Sequence, residues 1–247
     1  MGKLRGYQTN DIYSIKTVSD PQISPNGETI AYVVTTINRK LNSYNSAIWL
    51  KNKHHKPHRI TSDDVKETQP RWSSDGSSIA FLSDRDGDFA QIYVMSMVNQ
   101  KIKKLTFFKK GALEIIWSSS GKVIIATSRI NRDQKKSKND PIVITQLKHK
   151  HNGQGFFDGS HVQIFVVPTD GKNPKQITKG NWDNSQIDCS PDGKTICFVS
   201  ARHETRDVDI AEDLWTMPTN GGQPTRLTKR FGVIEAPIFS PNGQSIA

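Results

Sequence analysis

The segment DCSPDGKTICFVS, Asp188–Ser200, decides the fold because its pattern recurs along the 247-residue chain. The pattern is an apolar or aromatic residue, Ser, two turn residues, Gly, two polar residues and an apolar stretch. It occurs five times, at Gln22–Val34, Arg71–Ser83, Ile116–Ser128, Asp188–Ser200 and Ile238–Ala247. Successive turn glycines are 49, 45, 72 and 50 residues apart. The chain is therefore built from repeats.

A second, shorter pattern follows each of the first four copies with the same spacing. Its members are Arg59–Thr61 (RIT), Lys104–Thr106 (KLT), Gln176–Thr178 (QIT) and Arg226–Thr228 (RLT). Two independent markers share one period, so chance similarity does not explain them. A period of about 40–50 residues with strand chemistry predicts a β-propeller with one four-stranded blade per repeat.

The turn chemistry and the apolar stretch both favour strands. Pro25, Pro191 and Pro241 occupy the second turn position, where proline presets φ, and the following glycine accepts a positive φ. The next stretch is nearly continuous in apolar residues, as in Ile79–Ser83, which is typical of a strand buried on both faces. We therefore predict an all-β fold of four-stranded antiparallel blades.

The repeat boundaries predict an incomplete propeller of four blades plus the start of a fifth. A segment at 1–20 precedes the partial propeller at 21–247. The blades are expected at about 21–62, 69–107, 115–179, 186–229 and 236–247. The third repeat is longer than its neighbours, so we expect an insertion at 129–160 between the second and third strands of blade three. One or two extra short strands are expected there, for example at 142–145.

The chain carries a formal net charge of +10, which raises the question of nucleic-acid binding. The basic runs are Lys51–Arg59, Lys135–Lys138 and Lys148–His151. They contain no interleaved aromatic residue and no recognised nucleic-acid motif. We interpret them as solvated loops and expect no nucleic-acid partner.

Composition also bears on location. No run of 18 apolar residues occurs, so no membrane-spanning helix is expected. The first residues lack the apolar core of a signal peptide. Cys189 and Cys197, the two cysteines, flank one turn, and we expect a reduced pair on paired strands. These features favour a cytoplasmic protein without a membrane partner.

Two patterns could suggest a metal, and neither is persuasive. Asp84–Phe89 (DRDGDF) lacks the Gly and Glu that an EF-hand needs at positions six and twelve. The clustered histidines are His54, His55, His58, His149 and His151. Their neighbours are Lys and Arg, which oppose a cation. We predict no metal site and no cofactor.

The repeats resemble the propeller units of the prolyl oligopeptidase family of serine peptidases, in its acylaminoacyl-peptidase and dipeptidyl-peptidase-like branch. The resemblance covers nearly the whole chain. The segments that carry it are Asp11–Val34, Ser73–Met95, Gly153–Gly159 and Ser200–Trp215. Similar blade motifs occur in TolB-like propellers. A non-enzymatic TolB-like propeller that binds protein partners is therefore the alternative.

The resemblance implies a propeller over a C-terminal α/β-hydrolase domain that carries a Ser-His-Asp triad. In that arrangement the propeller lets short peptides reach the active site and keeps folded proteins out. The nucleophile elbow G-x-S-x-G is absent here, since the nearest string, Gly243–Ala247, is the fifth blade turn. We therefore expect a substrate-gating propeller fragment with no catalytic residue. Its expected partners are the missing hydrolase domain and, in the full-length protein, a short peptide substrate.

The segment Ala201–Asp209 is the best candidate for function within the chain, because it lengthens the link after the second strand of blade four. The candidate gating residues are Arg202, His203, Glu204, Arg206 and Asp207. One interpretation, which we favour, is a salt-bridged loop that docks blades or the missing domain. In the other, the loop reaches the chamber. Glu204 would then pair with a peptide amine, and Arg202 or Arg206 with a carbonyl or carboxylate.

Overall fold

A computed structural model describes residues 5–62, 64–131, 141, 143–151, 155–229 and 232–247. The chain divides into two compact units, Met1–Lys104 and Leu105–Ala247. The basic run Lys135–Lys138 lies outside the described residues. No helix within the described ranges is long and apolar enough to cross a membrane.

The first unit begins with a short 3-10 helix, Thr9–Ser14. Two four-stranded sheets follow, each with its strands in chain order. The strands are β1 (Lys16–Ile23), β2 (Thr29–Asn38), β3 (Ser43–Asn52), β4 (His58–Arg59), β5 (Glu67–Trp72), β6 (Ser78–Ser83), β7 (Gln91–Ser96) and β8 (Ile102–Lys104). Every neighbouring pair is antiparallel. We call these sheets blades one and two.

The second unit contains two more four-stranded antiparallel sheets and one small hairpin. Its strands are β9 (Ala112–Trp117), β10 (Val123–Asn131), β11 (Lys150–His151), β12 (Gly155–Phe156), β13 (Ser160–Pro168), β14 (Lys175–Gln176), β15 (Ser185–Cys189), β16 (Thr195–Ser200), β17 (Asp213–Pro218) and β18 (Thr225–Arg226). Blade three is β9–β10–β13–β14, and blade four is β15–β16–β17–β18. A 3-10 helix, Glu204–Asp207, lies between β16 and β17. Beyond blade four, the bridge between Phe239 and Ile246 opens a further hairpin.

The predicted fold class is confirmed: the described chain is built from four-stranded antiparallel sheets, and none of those sheets closes on itself. One detail of the insertion is wrong. Residues 143–145 form no strand, and residue 142 lies outside the described residues. The extra strands are β11 and β12 instead. The stretch before them contacts blade four through Leu147 and Lys148, as described below.

The repeated turn is explained by one serine that closes the hairpin at both ends. The Ser190 hydroxyl donates to the Asp192 carboxylate at 2.6 Å and accepts from the Thr195 backbone N–H at 3.0 Å. The Gly193 N–H donates to the Ser190 carbonyl at 2.8 Å, with Gly193 at φ +72°. Corresponding serine contacts recur at Ser24, Ser73 and Ser240.

The second marker, which ends in Thr, extends the outer edge of the sheet in three blades. The fourth strands are only two or three residues long. In three blades the Thr hydroxyl, beyond that strand, accepts a hydrogen bond from a third-strand N–H. The pairs are Ile48 with Thr61 (2.9 Å), Ile164 with Thr178 (2.8 Å) and Leu214 with Thr228 (2.9 Å). A side chain thus extends the pairing of the sheet.

Each unit has its core between its two blades. In the first unit, Ile48 of blade one packs with Phe81, Tyr93 and Met95 of blade two. In the second unit, the core residues are Ile125, Ile164, Ile196, Phe198 and Met217. Full burial of one such side chain stabilises the fold by about 1.5–3 kcal/mol. The nearly continuous apolar stretches are therefore strands that pack on both faces.

Candidate functional site

The second unit contains a cavity of about 690 Å³ beside blade four. Three parts of the chain line it: the insertion with the start of β13, the residues before β15, and the link between β16 and β17. We call residues 143–151 the insertion segment and residues 201–212 the blade-four link. The lining side chains include Gln146, Lys148, Phe157, Asp158, His161, Trp182, Asp183, Glu204, Arg206, Asp207 and Glu212.

The structure divides the five candidate gating residues into two groups. Glu204, Arg206 and Asp207 line the cavity, whereas Arg202 and His203 do not. The three cavity residues lie within the 3-10 helix Glu204–Asp207, whereas Arg202 and His203 precede it and make the contacts described next. Whether any of the five gates a substrate remains a prediction.

Arg202 is part of the interior of blade four. Its guanidinium lies 4.6 Å from the Trp215 ring centroid and donates to the Asn184 amide oxygen at 2.7 Å. Burial lowers the pKa of Arg202 to about 10. These contacts give the residue a structural role beneath the link.

His203 fastens the two ends of the blade-four link. The ring is buried, and Nε2 lies 2.8 Å from the Ala211 carbonyl oxygen, to which its N–H can donate. Nδ1 lies 3.1 Å from the Thr205 hydroxyl, which itself donates to Asp209 at 2.7 Å. The link is therefore a closed, internally bonded loop.

Three of the five carboxylates on the cavity already have partners. Asp158 pairs with Lys110 at 2.7 Å, and hydrogen bonds from Lys110 and Ser160 outweigh burial and lower its pKa to about 2. Asp183 has His161 at 3.2 Å; burial acts to raise its pKa, but hydrogen bonds and nearby cations lower it. Asp207 accepts two backbone hydrogen bonds.

Glu204 and Glu212 differ from these three. Within the described residues, neither carboxylate has a hydrogen-bond or ion-pair partner. Glu204 is exposed, whereas Glu212 is half-buried. Burial raises the pKa of Glu212, and the nearby Lys148 charge partly opposes this rise. The cavity therefore contains two carboxylates that no hydrogen bond occupies, together with the cations of Lys148 and Arg206.

Lys148 and Glu212 are among the cavity residues that sequence reasoning missed. Lys148 was assigned to a solvated basic run, but its ammonium donates to backbone carbonyls of the blade-four link. Glu212 was not singled out. The available signal was its position directly before Asp213–Pro218, a strand that begins with two buried residues. Among the described residues, no group of three or more His, Cys, Asp or Glu side chains is arranged to hold a metal ion.

Comparison with known families places this architecture. Residues 4–153, more than half of the chain, match the family described as the TolB beta propeller domain. The chain belongs to the TolB-type propeller family. Residues 136–247 of this TolB-type propeller match a second family, described as the dipeptidyl peptidase IV N-terminal region. The second match includes the cavity and the whole of blade four.

Individual relatives are peptidases. The propeller is 34% identical over 217 residues to the uncharacterized peptidase YuxL of Bacillus subtilis, covering 84% of this chain and 33% of that protein. It is 24% identical over 243 residues to dipeptidyl-peptidase 5 of Porphyromonas endodontalis, covering 90% of this chain and 35% of that protein. The propeller thus spans about a third of the length of these curated relatives.

A solved structure shows the same fold. The acylaminoacyl peptidase of Pyrococcus horikoshii matches with a TM-score of 0.71 at 22% identity, over 91% of this chain and 34% of that chain. With the two family matches and the peptidase relatives, this confirms the predicted relationship. The chain corresponds to the N-terminal propeller portion of the prolyl oligopeptidase family.

Proposed function

We propose that this propeller is the substrate-gating part of a serine peptidase that cleaves short peptides, of the acylaminoacyl- or dipeptidyl-peptidase type. The cavity beside blade four receives the amino end of the peptide. One observation carries this proposal: Glu204 and Glu212 line a single cavity, and neither carboxylate has a hydrogen-bond partner among the described residues. The peptidase relatives support the reaction class.

The chemistry of a peptide amino end fits these groups. Its ammonium is a compact cation, and charge-assisted hydrogen bonds to carboxylates are among the strongest in proteins. Arg206 would bind a peptide carbonyl, since a guanidinium has five N–H donors. One of these donates to the His203 carbonyl at 3.1 Å. We assign Glu204 to the amine, because it lies on the cavity and is exposed.

The proposed partner of the propeller is a C-terminal α/β-hydrolase domain, which would carry the nucleophile and its triad. The propeller would contribute access control and binding, with no catalytic residue of its own. We also propose a cytoplasmic location, supported by the free thiols of Cys189 and Cys197.

The decisive experiment compares two peptides that differ only at the amino end. A dipeptidyl-type site prefers a free amine, whereas an acylaminoacyl-type site takes a blocked one. Calorimetric titration of the chain with a short peptide amide and its N-acetylated form would measure this preference. If Glu204 binds the amine, we expect about a tenfold preference for the free form, and E204Q should reduce it to within about twofold.

The matched control is E235Q, the same change at an exposed glutamate that does not line the cavity. It should leave both affinities unchanged. Tighter binding of the acetylated peptide, unaffected by E204Q, would assign the acylaminoacyl type and remove the amine role of Glu204.

The alternative is a non-enzymatic TolB-like propeller that binds protein partners. The match to the TolB beta propeller domain over residues 4–153 favours it. It predicts that neither peptide binds the cavity and that E204Q has no effect. The peptidase relatives make this alternative the weaker of the two.

A further inference from the structure

The insertion segment and the blade-four link are joined by a reciprocal set of hydrogen bonds. The Asp207 carboxylate accepts from the Leu147 N–H at 2.8 Å and from the Lys148 N–H at 2.9 Å. In return, the Lys148 ammonium donates to the carbonyl oxygens of Arg206 and Asp209. Asp207 and Leu147 are 60 residues apart in the sequence. We call this set of contacts the clamp.

The insertion segment has few other attachments. Residues 143–149 lie outside the strands and are mostly exposed. Their remaining hydrogen bonds are local, such as those from the Gln146 amide to the Lys148 carbonyl and from the His149 N–H to the Leu147 carbonyl. Within the described residues, every hydrogen bond that residues 143–149 make outside the insertion goes to the blade-four link. The clamp is therefore the hydrogen-bonded connection between this part of the insertion and blade four.

The other side of the clamp is firmly held. Asp207 ends the 3-10 helix of the link, and the buried His203 and the Thr205–Asp209 hydrogen bond brace that helix. The backbone N–H groups of Lys148 and Leu147 also keep the pKa of Asp207 below its usual range, so its carboxylate stays charged near neutral pH. A fixed anion thus faces two N–H groups of a segment with little support of its own.

We propose that Asp207 is a positioning residue for the cavity: it fastens the insertion segment to the blade-four link, so that Gln146 and Lys148 form part of the wall that Glu204 and Arg206 share. Its carboxylate is occupied by backbone N–H groups, so its effect on a ligand is indirect. The link to peptide binding rests on the proposed function, whereas the clamp itself does not.

Hydrogen exchange of the Leu147 and Lys148 amides, measured by NMR on the full chain, tests the clamp directly. In D207N the charge is lost, and one carboxylate oxygen is replaced by an NH₂ group that cannot accept. The two N–H groups bond to different oxygens of Asp207, so we expect the amide that loses its acceptor to exchange at least about tenfold faster. D192N is the matched control, because that carboxylate bonds only within the Ser190–Lys194 turn of the same blade; it should change the two rates by less than about twofold.

A second variant protects the test against misfolding. K148M removes the ammonium contacts and leaves both backbone N–H groups in place, so exchange should rise by about threefold. Thermal midpoints close to that of the wild type would show that each variant folds. Unchanged exchange in both folded variants would overturn the clamp.

Peptide titration then separates positioning from direct contact. With a mispositioned wall, D207N should weaken binding of the free and acetylated peptides by the same factor, about three- to tenfold, and keep their ratio. E204Q should instead bring the affinities for the free and acetylated peptides close to each other. Loss of the ratio in D207N would mean that Asp207 meets the amine itself and would overturn the positioning role. If the wild type binds neither peptide, the proposed function fails, and the exchange rates still decide the clamp.

Discussion

Blades two and four place an arginine at the same repeat position, nine residues after the turn glycine. Each guanidinium lies over aromatic rings of its own blade. Arg85 is 4.9 Å from the Tyr93 ring centroid, and Arg202 is 4.6 Å from that of Trp215. The two blades therefore share an arginine packed against aromatic rings at the same repeat position.

The partner of the arginine differs. In blade two, Arg85 pairs with Glu67, a fully buried carboxylate. In blade four, the equivalent position is Asn184, whose amide oxygen accepts from Arg202 at 2.7 Å and whose NH₂ donates to the Val162 carbonyl at 2.9 Å. An amide can accept and donate at once, which a carboxylate cannot. Blade four thus gives up an ion pair and gains a tie to the neighbouring sheet.

The two blades also differ in the connection between their second and third strands. In blade two, residues 84–90 connect β6 to β7. In blade four, the connection is the twelve-residue link that contains a 3-10 helix and lines the cavity. The arginine and its rings support both connections. The repeat thus supplies a shared arrangement of arginine and aromatic rings, and the cavity lies where the link is longer.

The largest expected effect tests the ion pair of blade two. E67A leaves the Arg85 cation partly buried without its carboxylate, and removal of one partner of a buried pair costs about 3–5 kcal/mol. Urea unfolding of the chain would measure this. E67Q keeps an oxygen acceptor, as Asn184 does in blade four, and should cost only about 1–2 kcal/mol. Equal costs for the two variants would break the comparison.

A smaller effect tests the turn glycines of the same two blades. Gly76 and Gly193 have φ values of +70° and +72°, so alanine costs about 1–2 kcal/mol at either. A Cβ at Gly193 would lie 2.7 Å from the Ser118 hydroxyl oxygen, whereas at Gly76 the nearest atom is Pro25 Cδ at 3.5 Å. We therefore expect G193A to cost about 1 kcal/mol more than G76A.

Urea midpoints for the two alanine variants, measured in parallel, would check this. A larger loss for G76A would show that contact between neighbouring turns does not limit these positions.

The smallest effect concerns the acidic turn residue. Hydrogen bonds from the Ser73 hydroxyl and from Ser77 lower the pKa of Asp75 to about 2. Because the folded pKa lies below the unfolded value of about 4, this stabilisation is present above pH 4 and is lost as pH falls toward 2. The carboxylate is exposed, so the effect stays below about 1 kcal/mol.

Blade one carries Asn26 at the equivalent position, so D75N is a natural replacement. Thermal midpoints at pH 6 and pH 2.5 should differ less in D75N than in the wild type. An identical pH dependence in the two proteins would contradict the assignment.

Prediction from the sequence succeeded where contacts are local. The turn from Ser190 to Thr195 is closed by hydrogen bonds between residues at most five positions apart. A short stretch of sequence therefore specifies its geometry. It was less successful in the insertion, where residues 143–145 form no strand. Their apolar residues suggested one, but the neighbouring Leu147 N–H pairs with Asp207, 60 residues away, and no local pattern shows such a partner.

The sequence by itself determined the repeats, the blade turns and the all-β fold, because each depends on hydrogen bonds and side-chain alternation within one hairpin. It also identified the link that contains Glu204 as the candidate functional segment. Only the tertiary structure decided that Arg202 lies beneath this link, that Glu212 joins Glu204 on one cavity, and that Asp207 holds Lys148. The Asp207–Lys148 contact joins segments that are 59 residues apart, and the other two depend on how the link folds over its own blade, which no local pattern encodes.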